Sequence, residues 1–307
     1  MERDKLHGIR NAIARGRRFE LVFAVCGVIA LMIGVLTFLT LFVDMAIAGI
    51  PRINAEFFTS FPSRHAERAG ILSAWVGSVL VMVVTATVAI PLGVASGLYL
   101  EEYAAKHWVN DLIEINITNL AGVPSIVYGL LALGLFVYGL GFGQSILAAG
   151  LTLALLILPV VILATREAIR AIPREMRESA YALGASKWQM VRDHIIPYSM
   201  PGILTGVIIG LARAIGETAP IITIGALTFI AFLPEAPVTA LPPYVNFEWL
   251  WAPFTVLPIQ MFNWTSRPEA AFQANAAAAG FVLVALTLAM NGLAIYVRYR
   301  LRRNLKW

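Results

Sequence analysis

Long runs of apolar residues, separated by shorter polar segments, dominate the chain. Six of these runs hold about 20 residues or more, the length that an α-helix needs to cross the roughly 30 Å hydrocarbon layer of a bilayer. A helix also satisfies its own backbone hydrogen bonds, as lipid requires. The pattern therefore predicts an all-α fold, a polytopic transmembrane helical bundle with six spans at residues 21–43, 71–100, 118–140, 145–165, 202–232 and 271–297.

The second and fifth runs are longer than one crossing requires, and they contain Pro91 and Pro220 respectively. Proline lacks an N–H, and its ring clashes with the carbonyl four residues earlier in a helix. We therefore expect a kink or a break at each of these two positions.

Composition supports a membrane protein. Apolar residues make up 59% of the chain and charged residues only 13%, about half the charged fraction of a soluble domain. The net charge of +5 could suggest a nucleic-acid partner, but the basic residues flank the apolar runs, which favours membrane topology and no nucleic acid. The single cysteine, Cys26, cannot form an internal disulfide.

The basic residues are unequally divided between the two ends of the predicted bundle. Of the 23 Lys and Arg residues, 18 lie on the side that holds both termini. The positive-inside rule then places both termini in the cytoplasm. On the opposite side there are four, Arg52, Arg64, Arg68 and Arg267, and the remaining one is Arg213.

The first helix and the outer loops each allow two interpretations. The stretch 46–48 resembles a signal-peptide cleavage site, but the preceding apolar run is too long for a signal core, so we expect a retained helix. The loops 44–70 and 233–270 favour an interfacial aromatic belt, with a docking surface for an external partner as the alternative. Their aromatic and proline residues include Pro234, Pro242, Pro243, Trp249, Trp251 and Trp264.

Motifs for covalent chemistry are missing from the sequence. It contains no GxxxxGK[ST] phosphate loop, no His/Cys set with metal-ligand spacing and no signal for a Ser-His-Asp triad. The glycines at 139, 141 and 143 resemble a phosphate cradle, but their position between two spans favours a plain turn. The sequence therefore predicts a protein that is not an enzyme and that uses no cofactor and no metal.

The polar segment 166–203 is the most specific feature of the chain. We expect two short helices there, broken at Pro173 and ended before Pro197. Apolar residues recur at helical spacing over 175–191, which also fits an amphipathic helix lying on lipid. The detailed pattern resembles the EAA signature of the permease subunits of binding-protein-dependent ABC importers. Its positions are matched by Glu178, Ala180, Gly184, Ile196 and Pro197, although Ser179 replaces the middle residue, His194 an expected Ile and Ile196 an expected Leu.

This resemblance implies that the segment forms a coupling helix, which docks in a groove of a separate ATPase subunit. Small residues would allow close approach, and Gly184 would allow a sharp turn or a close backbone contact.

Three further stretches, LAGVPSIVYGL, GLARAIGETAP and IPLGVASGLYLEEY, resemble the permeases of phosphate ABC importers, and the short outer loops fit the PstA type better than its sister. The resemblance implies a type I importer fold in a bacterial inner membrane. It also implies several partners: a sister permease, two ATPase subunits, an extracytoplasmic phosphate-binding protein, membrane lipid and inorganic phosphate. The expected domains are residues 1–70, a core at 71–297 and a basic tail at 298–307.

Arg213 and Glu217 are the only charged residues within any predicted span. If the fifth helix starts near Pro201, they lie near or just beyond the middle of the membrane. A charge there costs at least about 2.5–3.5 kcal/mol, which pairing one helical turn apart reduces. The pair is either a salt bridge that fixes the bundle or an anion station in the translocation pathway, to which Ser125, Tyr128 and Thr218 would add neutral donors.

Other functions remain open from the sequence. The same architecture could carry another oxyanion, such as molybdate or sulfate. An ion-coupled secondary transporter would use Arg213 and Glu217 in a proton relay and would show inverted repeats. A membrane-bound sensor without transport is the third alternative.

Overall fold

A computed structural model of the protein describes residues 2–105, 107–238 and 244–303. Pro242 and Pro243, which we assigned to an outer loop, and Lys106 and Lys306, which we counted on the cytoplasmic side, lie outside the described residues. The described residues form no β-strand, although Val238 and Val245 make an isolated antiparallel bridge. They form twelve α-helices: α1 Glu2–Gly49, α2 Ala55–Thr59, α3 Leu72–Leu98, α4 Trp108–Leu120, α5 Ser125–Ala132, α6 Ile146–Arg170, α7 Arg174–Ala182, α8 Lys187–Met190, α9 Ile196–Gly216, α10 Ala219–Ile224, α11 Leu257–Thr265 and α12 Ala270–Arg303.

Three π-helical turns extend these helices. They cover Tyr99–Tyr103 after α3, Leu133–Gly139 after α5 and Val191–Ile195 before α9. Five helical segments are long and apolar enough to cross a membrane, and the bent pair formed by α4 and α5 with its π-helical turn makes a sixth candidate. The predicted all-α bundle is therefore confirmed, although the third predicted span is bent into two helices.

The third predicted span, 118–140, is wrong as a single straight helix. Helix α4 begins well before it, at Trp108, and ends at Leu120, and the chain then bends by 107° before α5 begins at Ser125. Pro124 adopts an extended conformation at this bend. Proline disfavours the helical conformation of the residue before it, so the apolar run breaks although its hydropathy is continuous.

The fifth predicted span, 202–232, is also wrong at both ends. Helix α9 begins at Ile196 and runs through Pro197 and Pro201, so the loop helix does not end before Pro197. It ends at Gly216, which confirms the break expected near Pro220. Pro91, in contrast, lies inside the uninterrupted helix α3, so no break occurs there.

Helix α6 forms the centre of the bundle, between α3 and α9. Small residues allow this close approach: an added Cβ on Gly93 of α3 would lie 2.6 Å from Val161 Cγ1, and one on Gly202 of α9 would lie 2.6 Å from Ala168 Cβ. Interfaces of this kind let membrane helices pack by van der Waals contact. Helix α1 lies at the periphery, and its apolar side chains between Phe19 and Val43 are mostly exposed, as suits contact with lipid.

We call one end of the bundle the loop face. It holds the π-helical turn Tyr99–Tyr103, the C-terminal end of α6, and the helices α7 and α8. At the opposite end, Arg52 hydrogen-bonds to separate parts of the chain. Its Nε donates to Asn275 Oδ1 at 2.9 Å, and its Nη2 donates to the Ala66 and Ala69 carbonyls at 3.1 Å. Trp264 is fully buried there beside Phe57. A simple interfacial belt is therefore wrong for Trp264, because tertiary packing takes the ring away from the surface.

Candidate functional site

The break between α9 and α10 holds the predicted charged pair. Glu217 follows α9 in an extended conformation, and α10 begins two residues later with Pro220 at its second position. Pro220 has no N–H to continue the α9 ladder, and its ring would clash with the carbonyl of Gly216. Helix α9 therefore ends between the two charged residues, Arg213 and Glu217.

Arg213 and Glu217 contact each other, as predicted. Arg213 Nε donates to Glu217 Oε1 at 3.3 Å, with side chains 38% and 18% exposed. Because Glu217 lies beyond the helix, the pair spans the helix end and is not a regular pair along one helical face. Arg213 lies in the last turn of α9, where a cation interacts favourably with the negative end of the helix dipole.

The starting position that we expected for this helix, near Pro201, is wrong. Since α9 begins at Ile196, Arg213 lies about 26 Å along the helix at 1.5 Å per residue. The pair therefore lies at the end of α9 that is far from the loop face.

The broken third span packs directly against this region. A Cβ on Gly129 of α5 would lie 2.6 Å from Pro220 Cα and would also overlap Thr223 Oγ1. This close approach brings α5, with Ser125 in its first turn, against α10. The two interrupted spans are therefore neighbours.

The three predicted neutral donors differ in their surroundings. Tyr128 is buried in the same apolar cluster as Ala214 and Ile215, and its hydroxyl donates to the Leu120 carbonyl at 2.8 Å. Ser125 and Thr218 are partly exposed. The Tyr128 proton is thus already engaged within the chain, which leaves its oxygen as an acceptor.

A small cavity of about 10 Å³ lies beside Glu217, and its lining includes Ser78 and Met82 of α3 and Ala214 of α9. A water molecule needs about this volume, and an oxyanion needs more. The chain by itself therefore does not enclose an anion at this cavity, and the exposed side of the Arg213–Glu217 pair faces away from the bundle core.

The EAA segment forms two short helices joined at Gly184. Gly184 has φ +81°, a left-handed conformation that glycine adopts without strain, and an added Cβ would contact nothing within 4 Å. Ser186 then starts α8 with a capping box, in which its side chain accepts from the Gln189 N–H. The sharp turn expected at Gly184 is therefore confirmed, whereas a continuous helix over 175–191 is wrong.

The signature residues divide into exposed and buried ones. Glu178 and Ser179 are exposed, Ala180 is buried against the end of α6, and Pro197 is partly buried at the second position of α9. The same surface also exposes three large side chains, Tyr181 at 46%, Trp188 at 56% and Leu183 at 89%.

Sequence reasoning missed a cluster of ion pairs on the loop face. Arg166 Nη2 lies 2.7 Å from Glu114 Oε2, and Arg170 Nε lies 2.9 Å from Glu101 Oε2. Arg166 and Arg170 are spaced four apart on α6, and this spacing was the available signal, since both then lie on one helical face. Their acidic partners on other elements were not visible in the pattern.

A bundle with five apolar spans and a sixth candidate defines a polytopic membrane protein. The family model of the binding-protein-dependent transport system inner membrane component matches residues 89–303. The chain belongs to this family and is a multi-pass membrane permease. In such systems the permease works with another permease, with ATPases on separate chains and with a binding protein.

Several relatives within this family are similar over most of the chain. The chain is 36% identical over 222 residues to the phosphate transport system permease protein PstA of Mycobacterium leprae, covering 72% of this chain and 68% of the relative. It is 33% identical over 252 residues to PstA of Yersinia pestis, covering 80% and 78%. It is also 33% identical over 245 residues to the probable ABC transporter permease protein YqgI of Bacillus subtilis, covering 79% and 76%.

Among solved structures, an inward-facing MetNI methionine ABC transporter chain superimposes with a TM-score of 0.55 at 16% identity. The match covers 75% of this chain and 94% of the other. At this identity the likeness supports the fold, a type I importer permease.

Proposed function

We propose that the chain is the PstA-type permease of a phosphate ABC importer and forms half of its translocation pathway. A sister permease supplies the other half, two ATPase subunits drive it, and an extracytoplasmic phosphate-binding protein delivers the anion. The observation that carries this proposal is the Arg213–Glu217 pair at the broken end of α9. The similarity to phosphate permeases supports the choice of anion.

The chemistry of the pair suits a transient anion station. The planar guanidinium of Arg213 offers two parallel N–H donors to the oxygens of a phosphate. Glu217 neutralises the guanidinium when the pathway is empty, and it competes with the anion when the pathway is loaded. An anion held by Arg213 alone would leave slowly, so the carboxylate favours release. Ser125 and Thr218 add neutral hydrogen-bonding groups near the same break.

The pair is incomplete as a binding site within one chain, and this fits half of a pathway. The neighbouring cavity of about 10 Å³ accommodates no oxyanion, and Arg213 keeps 38% of its side chain exposed. The sister permease would close the exposed side. The anion would then lie between the two subunits.

Coupling is assigned to the exposed surface around Gly184. Glu178 and Ser179 present polar groups, and Leu183 presents an apolar side chain that is 89% exposed. We assign this surface to the groove of an ATPase subunit. Ala180, which is buried, and Pro197, which is partly buried, pack behind it. ATP binding and hydrolysis would favour different access states through their different affinities for the two conformations.

The orientation follows from the same assignment. ATP is cytoplasmic, so the loop face lies in the cytoplasm together with both termini, in a bacterial inner membrane. Reporter fusions after Trp307 and after a truncation at Glu56 should report opposite sides of the membrane. Equal signals from the two fusions would contradict the six-span topology.

The function is tested by reconstituting the permease with its sister, ATPase and binding protein in proteoliposomes. We expect ATP-dependent uptake of labelled phosphate that a tenfold excess of unlabelled phosphate lowers about tenfold, the dilution of the label by one competing substrate, and that sulfate or molybdate leaves intact. Equal competition by sulfate or molybdate would assign another oxyanion. Uptake driven by a proton gradient without ATP would indicate a secondary transporter.

A further inference from the structure

We propose that the π-helical turn Tyr99–Tyr103 is the joint through which the coupling loop moves helix α3, and that Glu102 and Tyr103 are its positioning residues. The inference rests on the proposed role of the loop around Gly184. The turn contacts the loop at two points, one on each side of Gly184, and it also contacts the end of α6.

The first contact joins Glu102 to Arg177 of α7. Arg177 donates to Glu102 Oε1 from Nη2 at 2.8 Å and from Nε at 3.0 Å. The side chain of Glu102 is 8% exposed and that of Arg177 is 20% exposed, so water screens the pair only weakly. Charge-assisted bonds of this length are among the stronger polar contacts in proteins.

Arg177 also ties α7 to the end of α6. Its Nη1 donates to the Ile172 carbonyl at 2.7 Å, and its Nη2 donates to the Ile169 carbonyl at 3.0 Å. Ile169 lies in the last turn of α6 and Ile172 just beyond its end, where helix carbonyls lack N–H partners from a following turn. A single guanidinium therefore fixes α7 against both α6 and the end of α3.

The second contact joins Tyr103 to Lys187, the first residue of α8. The Lys187 ammonium lies 4.8 Å from the centre of the Tyr103 ring, a cation–π distance. Lys187 follows Gly184, whereas Arg177 precedes it. A movement of the loop therefore reaches the π-helical turn from both helices, α7 and α8.

Neighbouring side chains of the π-helical turn contact different elements. The turn ends with the Ala104 N–H donating to the Tyr99 carbonyl at 2.8 Å, a five-residue step. Within it, Glu101 pairs with Arg170 of α6 at 2.9 Å while Glu102 pairs with Arg177 of α7.

Helix α3 extends from this joint to the proposed anion station. Met82 and Ser78 of α3 line the small cavity beside Glu217. Twenty residues separate Met82 from Glu102, which is about 30 Å of helix. One continuous helix, which contains Pro91, therefore connects the joint to the neighbourhood of Glu217.

The test uses the reconstituted complex and compares Arg177→Gln with Arg174→Gln. Arg174 is an exposed arginine on the same helix and has no ion-pair partner among the described residues. We expect Arg177→Gln and Glu102→Gln each to lower phosphate taken up per ATP hydrolysed by about tenfold, with normal copurification of the ATPase. The double variant should be no worse than either single variant, because both remove one shared interaction. Arg174→Gln should behave as the unmodified complex.

Tyr103 gives an independent comparison. Tyr103→Leu removes the aromatic ring and should lower uptake per ATP about two- to fivefold, while the conservative variant Tyr103→Phe, which keeps the ring, should rescue it. Equal defects in the two variants would overturn the cation–π contact as part of the joint. Loss of the ATPase from the Arg177→Gln complex would overturn the proposal too, since Arg177 would then only build the docking surface.

A measurement without phosphate separates this inference from the proposed substrate. The variant Met82→Cys, made in a Cys26→Ser background, carries a thiol beside the small cavity. The rate at which a thiol reagent labels it should change when a non-hydrolysable ATP analogue is added. The additional change Arg177→Gln should remove that response. A response that persists in Arg177→Gln would contradict the joint, whatever anion the complex carries.

Discussion

Arg213 of α9 and Glu217, the residue that follows this helix, form an ion pair across the helix end, with 3.3 Å between Nε and Oε1. The side chains keep 38% and 18% of their surface exposed. An ion pair that water reaches contributes only about 0–1 kcal/mol to stability. The pair is therefore a weak structural element, and its consequences should be sought in transport.

Arg213→Gln should abolish phosphate uptake while the complex still assembles, because the anion loses its cation. Arg213→Lys should also transport poorly, since an ammonium keeps the charge but loses the planar fork. The measurements are ATP-driven uptake in proteoliposomes and the subunit ratio of the purified complex. Arg300→Gln is a matched control, because Arg300 contacts Tyr296 of its own helix. A loss of assembly in Arg213→Gln would favour a structural role.

The double variant Arg213→Met with Glu217→Leu separates the two roles of the pair. Apolar replacement of an ion pair is often neutral for stability, so the complex should assemble and melt within a few degrees of the unmodified one. We expect it to take up no phosphate. Normal uptake by this stable complex would disprove the anion station.

Gly184→Arg should prevent the ATPase from copurifying with an inserted permease. The residue has φ +81°, so a side chain is strained there by roughly 1–2 kcal/mol, and a bulky charge would also face the partner. Gly184→Asn is the conservative comparison, because asparagine tolerates the left-handed conformation, and it should retain the ATPase. Copurification and normal transport in Gly184→Arg would argue against a coupling turn.

Gly129→Val should destabilise the permease by about 1–3 kcal/mol, because added atoms would push α5 away from Pro220 and Thr223. Gly134→Ala serves as the control, since a Cβ at Gly134 would meet nothing within 4 Å. Thermal unfolding of the two purified variants measures the difference. Equal melting temperatures would mean that α5 and α10 adjust without strain.

Hydrophobic pattern alone determined the class of this protein and the approximate location of its membrane helices. Transfer into lipid is a property of each segment, and a helix satisfies its own hydrogen bonds, so neither requires knowledge of the neighbours. The spacing around Glu178 and Gly184, and the isolation of Arg213 and Glu217 in an apolar run, were likewise local features. They indicated the turn at Gly184 and the contact between Arg213 and Glu217, which the structure shows.

Only the tertiary structure decided that the run at Pro124 breaks, that helix α3 continues through Pro91, and which distant residues meet. Hydropathy is continuous through Pro124 and Pro220, yet the chain leaves the helix near both, and the packing of Gly129 against Pro220 joins the two breaks. Glu102 and Arg177 are 75 positions apart, so no local pattern pairs them. Their contact exists because α3, α6 and α7 end at one face of the bundle, where charges excluded from lipid find their partners.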